Sequence, residues 1–301
     1  MARILITGYS GMLGRSVAEI FASDPAYKVI GLSRSPMEYS DFENDIDKIS
    51  FDLTKTREIP DLLDKIRPDV IIHTAAMVDI KACQNKKHYA YLLHAESARE
   101  LANFSRNIRF IYISTDSVFD GIRGNYTEED NPNPLNEYAK SKYRGELETL
   151  SGGNSLVLRT NIYGFHRPVV NSSIAEWALS KFKAGEKIRG FGNICFNPLY
   201  TVQLAEIIKV ISESQHCGIL HLGSDTCLSK YDFLKLLAEQ FDYDTALLEE
   251  GVFVQDSESV KRPENTTLNT GKYQETFLAI APSLHKGIER LWKDFDSEKR
   301  K

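Results

Sequence analysis

The chain has 301 residues, 42% of them hydrophobic and 26% charged, and a formal net charge of −5. That length holds one large domain or two modest ones, and the composition is that of a globular chain rather than a disordered one. Net negative charge, with no basic run beyond a solvated tail at Lys299, Arg300 and Lys301, argues against a nucleic-acid partner.

The first residues enter a strand pattern, Ala2 to Thr7, with no charged segment ahead of a long apolar one. A secretory leader is therefore not expected. No apolar run approaches the roughly 20 residues that cross a bilayer, so no membrane partner is expected either. Short apolar runs then recur at Arg3–Thr7, Lys28–Leu32, Ile49–Leu53, Asp69–His73, Arg109–Ser114 and Ser155–Arg159. They are rich in Ile, Val and Leu with little alternation, which predicts strands buried on both faces. Amphipathic stretches at Met12–Ala22, Arg57–Ile66, Lys87–Arg106 and Glu137–Leu150 lie between them and predict helices. Strand and helix alternating in this way predict an α/β fold with a doubly wound parallel sheet and helices on both faces.

The pattern loosens after Gly164. Helices are expected at Asn171–Ala184, Val202–Ser212, Lys230–Phe241 and Leu284–Phe295, with a short strand at Ile219–Leu222. The expected organisation is a dinucleotide-binding domain over residues 1–164 and a smaller substrate-binding lobe over 165–301, interleaved with the first. The cysteines, Cys83, Cys195, Cys217 and Cys227, form no CxxC pair and suit no zinc site. No metal is expected. Reduced, mostly packed thiols in a cytoplasmic protein are the expectation.

The first strand runs into Thr7-Gly8-Tyr9-Ser10-Gly11-Met12-Leu13-Gly14. Gly8 permits a tight turn, Gly11 lets the backbone approach a pyrophosphate, and Gly14 lets the helix pack close to the strand. The helix start offers free N–H groups and a positive dipole end. The position at a strand-to-helix junction is what gives the glycines weight. The second strand ends in Ser33-Arg34 where an NAD site usually carries an acidic residue. A guanidinium suits a 2′-phosphate, so NADP(H) is the expected cofactor. An ordinary exposed loop arginine is the alternative. Asp52, with Leu53 beside it at the next strand end, can reach the adenine edge or instead cap the chain before Thr54.

Tyr138 and Lys142 are four residues apart in the helix after the fifth strand, and so share one face. An ammonium near a phenol favours the phenolate and allows proton exchange with a carbonyl or alcohol oxygen. The fifth strand ends in Ser114-Thr115-Asp116, near the cofactor crevice, where Thr115 can donate to the same oxygen or merely cap the strand end.

Thr7–Gly14, Ala75-Ala76, the run Ser114 to Gly121, Asn133-Pro134-Leu135-Asn136-Glu137-Tyr138 through Lys142, and Arg262-Pro263-Glu264-Asn265 together resemble the dTDP-4-dehydrorhamnose reductase group. That group sits among the extended short-chain dehydrogenase/reductases, with a Rossmann-type fold. The resemblance runs from the first strand to about Lys272. It implies a catalytic triad of Thr115, Tyr138 and Lys142. It implies a cofactor site lined by Ala75, Ala76 and the Gly8–Gly14 turn, including Ser10, Met12 and Leu13. It also implies a nucleotide-sugar substrate held by the C-terminal lobe, with Asp116, Ser117 and Asn161 nearby and Arg262 at the diphosphate. A homodimer is compatible with it.

The chain departs from the group around the substrate. Ser117 replaces the usual tyrosine, His94 stands where an asparagine is usual, and Asn161 occupies a place often held by a bulky aromatic. The chemistry expected is NADPH-dependent reduction of the 4-keto group of a nucleotide-linked deoxysugar, the particular sugar left open. A nucleotide-sugar epimerase or dehydratase is the second reading. A non-catalytic NADP-binding regulatory subunit, like that of methionine adenosyltransferase, is the third.

Overall fold

The structure is a computed structural model that describes residues 1–35, 46–105, 108–166, 169–170, 172–256 and 259–299, without the side chains of 296–299. β1 (Ala2–Thr7) turns into α1 (Met12–Ala22), followed by β2 (Tyr27–Ser33), β3 (Asp47–Ser50), α2 (Ile59–Ile66) and β4 (Val70–His73). Then come α3 (Ile80–Asn85), α4 (Lys87–Tyr91), α5 (Ser97–Phe104), β5 (Arg109–Ile113), α6 (Glu137–Leu150) and β6 (Ser155–Thr160). The remainder contains β7 (Ile162–Tyr163), α7 (Ile174–Lys183), β8 (Ile188–Phe191), β9 (Cys195–Phe196), β10 (Leu199–Tyr200) and α8 (Thr201–Ser212). It ends with β11 (Gly218–Leu222), β12 (Leu228–Ser229), α9 (Lys230–Gln240), β13 (Leu248–Gly251), α10 (Gly271–Phe277) and α11 (Leu284–Lys299).

The main sheet has seven strands in the order β11-β6-β5-β4-β1-β2-β3, and every neighbouring pair in it is parallel. The doubly wound parallel sheet expected from the sequence is the one formed. Successive side chains of β1 feed opposite layers: Ile4 and Ile6 pack with Val17, Phe21, Leu204 and Ile208, while Leu5 packs with Ile30, Leu63, Ile71 and Phe110. Two buried faces with a period of two leave no room for polar alternation, so the strands read as continuous apolar runs. Strand order reverses between β1 and β4, and ligands of such sheets bind at the carboxyl ends there.

β11 lies beyond β6 in the main sheet, in register Gly218 with Leu156 to Leu222 with Thr160, and α8 packs on α1. A separate apolar cluster, including Phe196, Phe233, Leu237, Ile288 and Leu291, is built from residues after 160.

Several local expectations are corrected. The single helix expected at Lys87–Arg106 is broken by a π turn at Leu92–Glu96 and ends at Phe104. The third strand covers Asp47–Ser50 rather than Ile49–Leu53, because after Ser50 the chain peels away once Phe51 N–H has donated to the Ser33 carbonyl at 2.9 Å. The helix expected from Asn171 starts at Ile174, where Ser173 and Glu176 form a reciprocal capping box. α3, with only six residues behind an Asp79 cap, is too short to show a period. Arg106, Asn171, Arg300 and Lys301 lie outside the described residues. Of the four free cysteines only Cys83 is buried; Cys217 and Cys227 are exposed. No helix among the described residues is long and apolar enough to cross a membrane.

Candidate active site

The glycine turn forms a cradle that side chains would fill. Gly8 has φ +71°, and a Cβ there would lie 2.7 Å from the backbone of Ala75. A Cβ on Gly14 would strike the Gly8 carbonyl. Gly11 is the N-cap of α1 and supplies no side-chain cap. The first N–H groups of α1 are thus left to a ligand, at the positive end of the helix. Gly8, Ser10, Gly11, Ser33, Arg34, Asp52, Leu53, Ala75 and Ala76 line one cavity. Met12, Leu13 and Gly14 line the adjoining one with Thr115, Tyr138 and Lys142. Gly8, Gly11, Thr74 and Ala76 belong to both, so the two form one trench over the switch point.

Arg34 is exposed at the rim of this trench, and its Nη1 donates to the Tyr89 hydroxyl at 2.9 Å. Asp52 accepts from the Thr54 N–H at 3.0 Å and the Thr54 hydroxyl at 2.8 Å. It therefore makes the local cap that was the alternative reading, while still facing the trench. Phe51, Met77 and Tyr89 also line it and carry no sequence signal.

α6 starts cleanly because the Asn136 side chain accepts from the Ala139 N–H at 3.0 Å. Tyr138 and Lys142 then project into the trench from one face. Lys142 is 3% exposed. It donates to the Ile113 carbonyl at 2.6 Å and sits 4.1 Å above the Tyr112 ring. Burial pulls its pKa down to about 7, against the opposing charge of Glu146 one turn on. Loss of water pushes the Tyr138 phenol up, and its hydrogen bond with Thr115 works against that rise. Thr115 also accepts from the Ser117 N–H at 3.2 Å, so it caps the strand end and faces the cleft at once.

His94 stands edge-on to Tyr138 with ring centroids 5.9 Å apart. Its Nε2 accepts from the Met77 N–H at 2.9 Å, and its Nδ1 pairs with the Ser141 hydroxyl at 2.8 Å. Those partners assign the ring proton to Nδ1. Burial keeps the imidazole neutral. A neutral imidazole offers one donor and one acceptor, which is the capacity an asparagine at this place would use. Beneath the triad, Arg159 forks onto Glu146 with contacts of 2.7 to 3.2 Å, and Ser114 donates to the same carboxylate at 2.5 Å. Both charged side chains are essentially inaccessible.

Toward the second half of the chain, Asp116 is a brace. Its Oδ1 accepts from the Thr115 and Ser117 hydroxyls at 3.1 and 3.2 Å. Its Oδ2 accepts from Asn161 at 2.8 Å and from Thr266 at 2.5 Å. Asn161 and Ser117 line both the triad cavity and an outer cavity of about 510 Å³. Arg262 lines the outer one, with Arg189, Lys230, Trp177, Phe191 and Phe253. Every cofactor, substrate and triad residue expected from the sequence therefore borders this continuous cleft, whereas His94 lies buried behind it.

The sequence reading missed Arg189, Lys230, Trp177 and Thr266. For Lys230 a signal existed: a cation at the first position of a helix faces the positive dipole end, so stability does not explain it. Thr266 directly follows the Arg262–Asn265 segment. Arg189 and Trp177 carry no local signal.

A family described as "RmlD substrate binding domain" matches residues 2–297. The chain is 30% identical to the dTDP-4-dehydrorhamnose reductase of Aggregatibacter actinomycetemcomitans, over 94% of this chain and 95% of that protein. It is 26% identical to methionine adenosyltransferase 2 subunit beta of Danio rerio, over 99% of this chain and 92% of that one. Among solved structures it is similar to dTDP-4-dehydrorhamnose reductase from Bacillus anthracis in complex with NADP. There the identity is 25%, the TM-score 0.79, and the coverage 98% of this chain and 99% of the other. With nearly its whole length matched, the chain belongs to the RmlD family of extended short-chain dehydrogenase/reductases.

Proposed function

We propose that the protein is an NADPH-dependent reductase acting on the 4-keto group of a nucleotide-linked deoxysugar. The observation that carries this is the continuity of the cleft. The glycine cradle, the Thr115–Tyr138–Lys142 triad and a cationic, aromatic outer cavity follow one another without a break. The residues present fit the dinucleotide: the cradle has no room for a Cβ at Gly8 or Gly14, and Arg34 stands at the trench rim for a 2′-phosphate. When bound, NADPH supplies the hydride.

The chain's own groups do the rest. Gly11 and the following N–H groups bind phosphate. Thr115 orients the keto oxygen, and Tyr138 gives that oxygen its proton. Lys142 binds the nicotinamide ribose and lowers the phenol's pKa. Positioning in the cleft and exclusion of water supply the rest. Residues 1–164 hold the cofactor in this scheme and 165–301 the nucleotide sugar. The second part returns β11 to the main sheet. A cytoplasmic location goes with it, since free cysteines suit a reducing compartment. A homodimer is compatible with this reading and is measurable by analytical ultracentrifugation.

A dehydratase needs a carboxyl free to exchange protons beside the triad. Asp116, with four donors on its two oxygens, is committed to bracing. The test of the main reading is NADPH oxidation over a panel of nucleotide-4-ketosugars. Turnover of at least one member is expected. If NADPH binds and no member is reduced, the regulatory-subunit reading takes its place.

A further inference from the structure

His166 and Glu176 form a dyad in the triad cavity that keto reduction leaves unused. Glu176, 2% exposed, lies in the first turn of α7. Its Oε1 accepts from the His166 N–H at 2.5 Å. Its Oε2 lies 3.0 Å from the His166 Nδ1 and accepts from the Ser172 and Ser173 N–H groups at 3.0 and 3.1 Å. Burial works to raise the Glu176 carboxyl, but the hydrogen bonds from His166 and Ser173 outweigh it and hold the group below its ordinary range. A carboxylate only accepts, so the proton of a neutral His166 ring stands on Nδ1. The Ser172 hydroxyl is 3.3 Å from that same nitrogen. Nε2 keeps its lone pair and has no hydrogen-bond partner among the described residues. The His166 side chain is 26% exposed and borders the cavity of about 500 Å³ that Thr115, Tyr138 and Lys142 line. A base aimed by a buried carboxylate therefore shares a cavity with a phenol that serves a keto oxygen. Enolisation needs those two groups, one for the carbon beside the carbonyl and one for its oxygen.

We infer a second activity of this site: His166 as base and Tyr138 as acid exchange the hydrogen on a carbon next to the 4-keto group with solvent. This rests on the ketosugar reading above. Nε2 takes that hydrogen as a proton, and the C–H electron pair becomes the C=C bond. The carbonyl π pair moves to oxygen, which takes the Tyr138 proton, and an enol results. The imidazolium trades its proton with water at its exposed edge. The reverse steps then restore the ketone, the phenol and the neutral ring. The proton returns from the side on which it left, so no configuration is inverted, and no oxidant or reductant is consumed. Expelling water from the enol would require a carboxyl acid, and Asp116 is committed to four hydrogen bonds. Glu176 is a positioning residue in this step: it fixes the proton on Nδ1 and leaves Nε2 to the substrate.

The test is deuterium uptake in heavy water by the full-length protein holding NADP+, which has no hydride to give. The probe is dTDP-4-keto-6-deoxyglucose. Uptake is read by mass spectrometry and located by proton NMR at a carbon flanking the keto group. The wild type should exceed the enzyme-free rate by about 10²-fold or more, the scale of a positioned base. His166→Gln should fall close to the enzyme-free rate. His166→Phe keeps a ring without nitrogen and should do the same, which covers a folding failure of the glutamine variant. Glu176→Gln should cut the saturated exchange rate by about 10-fold or more, with the half-saturating ketosugar concentration kept. It should also move the His166 imidazole 15N signals away from the Nδ1–H form; unmoved signals overturn the positioning role. Wild-type exchange at the enzyme-free rate overturns the inference. So does exchange by His166→Gln equal to wild type, or a parallel loss of NADP+ affinity in that variant. NADPH turnover, measured separately, tells the two readings apart. Reduction without exchange removes this activity alone, exchange without reduction removes the reductase reading alone, and absence of both removes both.

Discussion

The cofactor end of the cleft is made by neighbours in sequence, and the substrate end by residues brought together from afar. Gly8, Gly11 and Gly14 occupy one turn, and Tyr138 and Lys142 one helix face. The outer cavity draws on Trp177 of α7, Arg189 of β8, Lys230 of α9 and Arg262 near the C-terminal end. The two ends also handle charge differently. At the triad, Lys142 is buried and already bonded to a carbonyl, and Glu146 pairs with Arg159 out of water. In the outer cavity Arg189, Lys230 and Arg262 have no ion-pair partner among the described residues, and the Lys230 ammonium lies 3.4 Å above the Phe196 ring centroid. A preorganised buried network suits chemistry, where geometry must not vary. Cations without an ion-pair partner suit binding, where the ligand completes the charge balance.

The sharpest break in the comparison comes from Tyr138→Phe, which keeps the ring and removes the proton donor. A loss of about 10²-fold or more in turnover is expected, the usual scale for a positioned acid, with NADPH affinity nearly intact by fluorescence titration. Wild-type turnover by this variant would end the proposed mechanism. Next in size is Gly8→Ala, which places a Cβ 2.7 Å from the Ala75 backbone at φ +71°. It should cost on the order of 1–3 kcal/mol of stability and weaken NADPH along with it. Unchanged cofactor affinity and melting temperature would show that the cradle is looser than drawn.

Arg34→Ala should erase most of the preference for NADPH over NADH, worth about 1–3 kcal/mol. A wild type that binds NADH equally well removes the role given to Arg34. Asn161→Ala and Arg262→Ala should raise KM for the nucleotide sugar by about 10-fold and leave cofactor affinity alone. If either shifts NADPH binding instead, the two ends are not separable. The smallest effect is on pH. With Lys142 held at about 7 by burial, the ammonium is lost as pH rises through that value. A neutral amine no longer supports the Tyr138 phenol. The kcat/KM for reduction should therefore fall above pH 7 and be flat below, the limb belonging to Lys142. A profile level to pH 9 would contradict that sign.

Legibility follows the same divide. The strands were readable because both faces are buried and the residues are correspondingly apolar. The main-sheet role of β11 was not, since its five residues Gly218–Leu222 look like any short strand until they pair with β6. The π turn at Leu92–Glu96 was invisible because its residues keep helical character. Its effect, turning His94 onto Met77 and Ser141, depends on groups distant in sequence. Asp116 stood out as part of a motif, yet its role as a four-donor brace depends on Thr266, 150 residues away.

By itself the sequence determined the parallel α/β architecture, the phosphate turn, and the helix face shared by Tyr138 and Lys142. Each of these is set within a few residues, by backbone sterics, helical period or two-sided burial. Tertiary structure alone decided that Arg189, Lys230 and Arg262 share one cavity, and that Lys230 stands where it meets the triad. Charges on separate elements have no local period to betray them; only the packing of α9, β8 and the C-terminal segment against the sheet brings them within reach of one ligand.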